Sequence, residues 1–152
     1  MDFETRLAEL FIELPEVPKT AEGVSPFVLA DKFCWVGMQL PLQAGKIPFK
    51  GRLGIEITLD QGKLAARYAL LVALSALRLA LGSLNKIKQF VQLTGYVASG
   101  GDFKEQSQVL ENASKLLVDI FGNAGRHTRQ AVGVNSLPQN ACVGIALVVT
   151  VK

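Results

Sequence analysis

The sequence is short of the residues on which most site chemistry depends. It has one histidine, His127, among 152 residues, so no histidine-based metal cluster can form within one chain, and neither paired-cysteine spacing nor an HExxH pattern is present. No metal and no other cofactor is expected. The two cysteines, Cys34 and Cys142, stand far apart in apolar segments and read as reduced, strand-buried thiols, not as a disulfide framework. Charge is scarce as well. Charged residues make up 19% of the chain, against roughly 25% in an average soluble domain, and a formal net charge of +3 is too slight to mark a polyanion-binding surface. Nucleic acid is therefore not the expected partner, and few aromatic and basic residues interleave as nuclease chemistry would want. The longest mainly apolar run, Tyr68 to Leu77, is bounded by Arg67 and Arg78 and stops well short of the roughly 20 residues that cross a bilayer. No membrane span is expected. The chain opens with Asp2 and Glu4 where a secretory signal would place basic residues and an apolar core, so a cytoplasmic location is the expectation. Gly51 to Gly54 and Gly62-Lys63 lack the Walker spacing of a phosphate loop.

What the chain has in quantity is apolar surface. Hydrophobic residues make up 49% of it, which suits a single domain over residues 1–152. With so little charge, part of the outer surface is expected to be covered by other subunits. Residues 1–14 place Phe3, Leu7, Leu10, Phe11 and Leu14 at helical spacing and predict an amphipathic opening helix, stopped by Pro15. Residues 15–26, with Pro15, Pro18, Gly23 and Pro26, read as an extended connector packed onto the domain. From Phe27 to Leu40 two strands are predicted, with Asp31-Lys32 as the polar break. An Ala- and Leu-rich helix follows from about Gln61 to Leu81, with Gly82 as its C-cap. Residues 87–98 alternate as a strand. Asp102 and Glu105 fit a capping box ahead of a second helix, whose Leu110, Ala113, Leu116, Leu117, Ile120 and Phe121 repeat until Gly122. Residues 127–135 and the β-branched run 141–151 also read as strands. The result is an α+β domain of order β-β-α-β-α-β: a four-stranded sheet with two helices on one face and trimer-type packing to cover the other.

Arg129 is the residue with chemistry to offer. Alternation puts Arg129, Ala131 and Gly133 on one face of their strand, and Cys142, Gly144 and Ala146 form a similar face of small side chains on the next. If these strands pair as a hairpin, Arg129 stands over a shallow floor with a bidentate grip for a carboxylate. The competing reading gives Arg129 an intersubunit salt bridge, the small residues simply admitting a neighbour's backbone. His127 is a candidate base, but a lone histidine in a loop entering a strand is usually structural or solvated.

Three stretches carry a resemblance: Met38-Gln39-Leu40-Pro41, Asn112 to Gly122 (NASKLLVDIFG), and Arg129 to Pro138 (RQAVGVNSLP). Through them the chain resembles the RidA-like (YjgF) reactive-intermediate deaminase family over nearly its whole length. It looks closest to a longer branch with an opening helix and an LPEVP-type connector. The resemblance implies a chorismate-mutase-like fold and a homotrimer with clefts between subunits. It also implies that Arg129 holds the carboxylate of a 2-imino or enamino acid while a downstream glutamate positions water for hydrolysis to a keto acid and ammonia. That glutamate position is Gly144, which has no side chain to accept a proton. Gly37-Met38 stands where the family has Ser-Gly, Val24 where it has an early tyrosine, and Asn112 matches a cleft asparagine. The expected cleft therefore comprises Arg129, Gly37, Met38, Asn112, Ala131 and Gly144. The implied function is a trimer binding a small carboxylate of the 2-imino or 2-keto acid class, with at most weak imine or enamine deaminase activity. The alternative is a non-catalytic ligand-binding or interaction protein whose cleft Met38 and Gly144 have reshaped.

Overall fold

Thr58 and Gly82 delimit the longest element of the computed structural model, which describes residues 2–152. The Thr58 hydroxyl accepts the Gln61 N–H at 3.2 Å, while the Gln61 side chain accepts the Thr58 N–H at 2.9 Å. This reciprocal cap starts helix α2 (Leu59–Leu81) slightly earlier than the apolar pattern alone predicts. At its other end Gly82 takes a left-handed φ of 81°, and its N–H reaches the Arg78 carbonyl at 2.8 Å. By length and composition α2 is apolar enough to cross a membrane. Here Ala65, Ala69, Leu70, Ala73, Leu74 and Leu77 are instead buried in the core.

That core lies against a mixed sheet built from β1 (Phe27–Ala30), β2 (Phe33–Gln39), β3 (Ile87–Ala98), β4 (Thr128–Val134) and β5 (Val143–Val151), in the order β1-β2-β5-β3-β4. β3 and β4 are parallel, and the other neighbouring pairs are antiparallel. The sheet has five strands, one for each strand segment read in the sequence, and not the four of the expected order β-β-α-β-α-β; both segments after the second helix join it. They do not join as a hairpin. The helical crossover after β3 returns the chain parallel to β3 at the sheet edge, and the β-branched run of β5 takes the buried position between β2 and β3.

Between β3 and β4 the chain forms a short helix α3 (Gln106–Val109) and then α4 (Glu111–Phe121). The predicted capping box of Asp102 and Glu105 does not form; Glu105 is the N-cap of α3 and makes no side-chain cap bond. The break at Leu110 turns its side chain onto the sheet over Gly95, where an added Cβ would lie 2.3 Å from Leu110 Cδ1. Cross-strand register sorts the sheet's two faces. Cys34, Val36, Leu93, Leu147 and Val149 lie on the helix side and are buried. On the opposite side Val28 and Trp35 are each 55% exposed and Val132 is 38% exposed, so among the described residues this apolar face is left without a covering layer. Both cysteines are free and buried, and desolvation pushes the Cys142 thiol up to about 11.

The opening helix α1 spans Phe3–Glu9, shorter than predicted, because Phe11 turns the chain with a φ of 56°. Glu4 anchors it to the end of α2: its carboxylate accepts Arg78 Nη2 at 2.6 Å and the Leu84 N–H at 2.8 Å. Asn85 Oδ1 accepts the Phe3 N–H at 2.7 Å, and the Phe3 ring meets Phe121 edge-on at 4.9 Å.

Candidate functional site

Parallel pairing sets Arg129 beside Leu93 and Ala131 beside Gly95. Leu93 is a core residue, so Arg129 and Ala131 project from the helix side of the sheet, at the β4 edge where α3 and α4 descend beside it. Here the Arg129 guanidinium donates from Nη2 to Ser107 Oγ at 2.6 Å and from Nη1 to Ser114 Oγ at 3.2 Å. Ser114 Oγ also lies 2.9 Å from Nε2 of His127, whose Nδ1 lies 2.7 Å from the Gly125 carbonyl oxygen. A carbonyl only accepts, so in the neutral imidazole Nδ1 carries the proton and Nε2 is a bare acceptor. The Ser114 hydroxyl then donates to Nε2 and accepts from Arg129. This assignment follows from the hydrogen-bond network.

The turn that carries His127 is braced from below and behind. Gln89 Nε2 donates to the carbonyls of Arg126 at 2.6 Å and Ala124 at 3.2 Å. Gly125 approaches α4 so closely that an added Cβ would lie 2.2 Å from the Leu117 carbonyl oxygen. Exposed Lys115 and Arg126 complete the rim of a cavity of about 570 Å³ whose lining holds no acidic residue. Among the described residues, ion pairs join Arg6 to Glu9 and Arg78 to Glu4; Arg129 belongs to neither.

Of the residues expected in one cleft, Arg129 and Ala131 line this cavity. Gly37, Met38 and Gly144 belong elsewhere. Gly144 pairs with Tyr96 of β3, which places it on the sheet face opposite Arg129, and an added Cβ there would lie 2.6 Å from Met38 Sδ. The thioether occupies the space that a side chain at 144 would take. The shallow floor expected beneath Arg129 is therefore not built from Gly144, because β3 separates β4 from β5. Asn112 is also displaced: it lines a separate cavity of about 350 Å³ with Asp60, Lys63 and Arg67. Two residues along a helix turn the side chain through roughly 200°, so Ser114, not Asn112, faces the arginine. Sequence reading missed Ser107 and Ser114 and took His127 as bland. The available signal was strand alternation, which puts His127 and Arg129 on the same side.

A mixed sheet with its helices on one face is the chorismate-mutase-like α+β fold. The family described as "YjgF/chorismate_mutase-like, putative endoribonuclease" matches residues 4–151, and the chain belongs to this YjgF/RidA-like family. It is 37% identical over 140 residues to Protein TCP17 of Trypanosoma cruzi, covering 91% of this chain and 88% of that protein. The crystal structure of Atu1372 from Agrobacterium tumefaciens, a protein described as of unknown function, is similar with a TM-score of 0.89 at 37% identity, covering 98% of this chain and 91% of that one. A "putative endoribonuclease" from Shewanella oneidensis has a TM-score of 0.95 at 32% identity, covering 99% of this chain and all of its own (100%).

Proposed function

We propose that the protein binds a small carboxylate of the 2-keto or 2-imino acid class at Arg129, in clefts between the subunits of a homotrimer. The observation that carries this reading is a guanidinium fixed by two serine hydroxyls in a cavity of about 570 Å³ that holds no acidic side chain. Hydroxyls orient the guanidinium fork without neutralising it, so its charge remains available to a planar anion. Lys115 and Arg126 at the rim add positive potential that concentrates such a ligand. The cavity is of small-molecule size. The trimer is supported by the uncovered apolar face around Val28, Trp35 and Val132, a surface of the kind that marks association. Buried free thiols fit a reducing compartment such as the cytoplasm. Endoribonuclease chemistry, named in the family's description, is not the reading adopted, since a net charge of +3 gives no extended track for a polyanion.

The test is calorimetric titration with pyruvate or 2-oxobutyrate. The unaltered protein binds, and Arg129→Ala weakens binding by about ten- to a hundredfold, the range expected for hydrogen bonds to a charged group. Unchanged binding by Arg129→Ala removes that residue from the ligand's recognition. Light scattering tests the assembly; a monomer at micromolar concentration overturns the trimer. A second reading, a binder with no catalysis, is favoured by Met38 filling the space at Gly144, the position that the resemblance gives to a glutamate.

A further inference from the structure

We infer that the ligand of the Arg129 cavity carries two anionic groups, the second of which, a carboxylate or a phosphate, is held by Lys115 and Arg126. The inference rests on the carboxylate reading above and narrows its ligand class. Three cations line this cavity, and each comes from a different place in the fold: Lys115 from α4, Arg126 from the turn that leads into β4, and Arg129 from β4 itself. No acidic side chain lines it, and among the described residues none of the three enters an ion pair. The neighbouring cavity, between α2 and α4, is built differently. There Lys63, Arg67 and the same Lys115 share one lining with Asp60 and Asp119. One cavity is close to balanced, and the adjoining one keeps an excess of positive charge.

Like charges gathered around one cavity repel one another and attract an anion from outside. The serine hydroxyls on Arg129 do not relieve that repulsion, because they are neutral. A single carboxylate at Arg129 offsets one of the three charges, whereas a ligand with a second anionic group meets the others as well. Lys115 and Arg126 stand apart from the guanidinium's own partners. Lys115 follows Ser114 on α4, and one step along a helix turns a side chain through roughly 100°, so the ammonium diverges from the hydroxyl that takes Arg129 Nη1 at 3.2 Å. Val118, one turn along α4 from Ser114, and Ala131, on the same strand face as Arg129, supply the apolar part of the lining. That composition suits a short methylene spacer between two charged ends. A 2-keto dicarboxylate and a phosphorylated carboxylic acid share this chemistry, and a cavity of about 570 Å³ admits either.

The experiment is calorimetric titration of the full chain and its variants, at low ionic strength, with 2-oxobutyrate, 2-oxoglutarate and 3-phosphoglycerate. At least one of the two dianions should bind about tenfold more tightly than 2-oxobutyrate, and which one does so distinguishes a second carboxylate from a phosphate. Lys115→Gln and Arg126→Gln should each weaken that dianion about three- to fivefold and leave 2-oxobutyrate within about twofold. Lys63→Gln removes the same charge from the neighbouring cavity and should change neither ligand. Raising the salt to about 1 M, where screening acts within about 3 Å, should shrink the dianion's advantage. Equal affinity for 2-oxobutyrate and both dianions overturns the inference and leaves carboxylate recognition at Arg129 standing. Equal losses of dianion affinity in Lys63→Gln and Lys115→Gln also overturn it, since the charge of the whole protein, not this cavity, then attracts the ligand. Absence of binding by all three ligands removes the inference and the carboxylate reading together.

Discussion

Arg78 and Arg129 each tie separate elements together, but they end on different partners. Arg78 reaches Glu4 at 2.6 Å, and the same carboxylate takes the Leu84 N–H, so the guanidinium is neutralised by its own chain and α1 is clamped to the end of α2. Arg129 ends on two hydroxyls, and the cations that line the same cavity, Lys115 and Arg126, add to its charge instead of cancelling it. A paired arginine serves the fold. One oriented by neutral groups beside an open cavity keeps its field for something from outside. The comparison predicts that disturbing the first changes stability alone, whereas disturbing the second changes ligand binding as well.

Gly125→Ala should have the largest effect and break the Arg129 side. Its Cβ would sit 2.2 Å from the Leu117 carbonyl oxygen, a backbone atom of α4 that cannot swing aside. Overpacking of this sort costs about 3 kcal/mol, measured by chemical denaturation. It also pushes His127 and Arg129 away from Ser114, so titration with 2-oxobutyrate should show weakened binding. Gly101→Ala, where nothing lies within 4 Å of the added Cβ, should stay within about 0.5 kcal/mol of the unaltered protein.

Next in size is Gly144→Ala. The new methyl would lie 2.6 Å from Met38 Sδ and 2.7 Å from its Cγ, the flexible part of that side chain. A cost of about 1–2 kcal/mol is expected, and Met38→Gly should relieve most of it in the double variant. Because this pair lies on the sheet face opposite Arg129, 2-oxobutyrate affinity within a protomer should not follow the stability change. If affinity falls in parallel, the two faces communicate and the comparison is too simple.

Local pattern shows how far the sequence was legible. Strand β3 and the Gly82 cap were readable because alternation and a left-handed glycine are signals carried by neighbouring residues. That Arg129 and Ala131 share a face followed from the same alternation, but which face of the sheet it is did not, and Gly144 lies on the other one. Strand order did not, since a hairpin and a crossover give β4 and β5 the same pattern and differ only in what lies between them. Ser114, near the start of α4, and His127, just ahead of β4, are brought together by that crossover. Met38 and Gly144 were visible as two separate departures from a family pattern. Their contact depends on the register shift between Val36 and Gln39 where β2 pairs with β5, and nothing local encodes it.

The smallest effect tests the Arg78 side. Burial alone would raise the Glu4 carboxyl, but the hydrogen bond from Arg78, that from the Leu84 N–H and the arginine's charge outweigh it, and the net shift is downward from 4.5. A carboxyl whose value is depressed in the folded state stabilises that state above its unfolded value and loses the contribution as pH falls through the folded one. The window therefore opens just below about 4.5 and extends to lower pH. With side-chain exposures of 41% for Arg78 and 29% for Glu4, solvent screens the pair, and about 1 kcal/mol is a fair ceiling. Glu4→Gln should cost up to that amount at pH 7 in denaturant unfolding. The gap between the two proteins should close as pH drops into the window, because protonating Glu4 removes the charge that glutamine already lacks. Binding of 2-oxobutyrate at pH 7 should be the same in both. A gap that persists at pH 3 would assign the contribution of Glu4 to packing and neutral hydrogen bonds, and a loss of ligand affinity would show that the clamp on α1 reaches the cavity through Phe3 and Phe121.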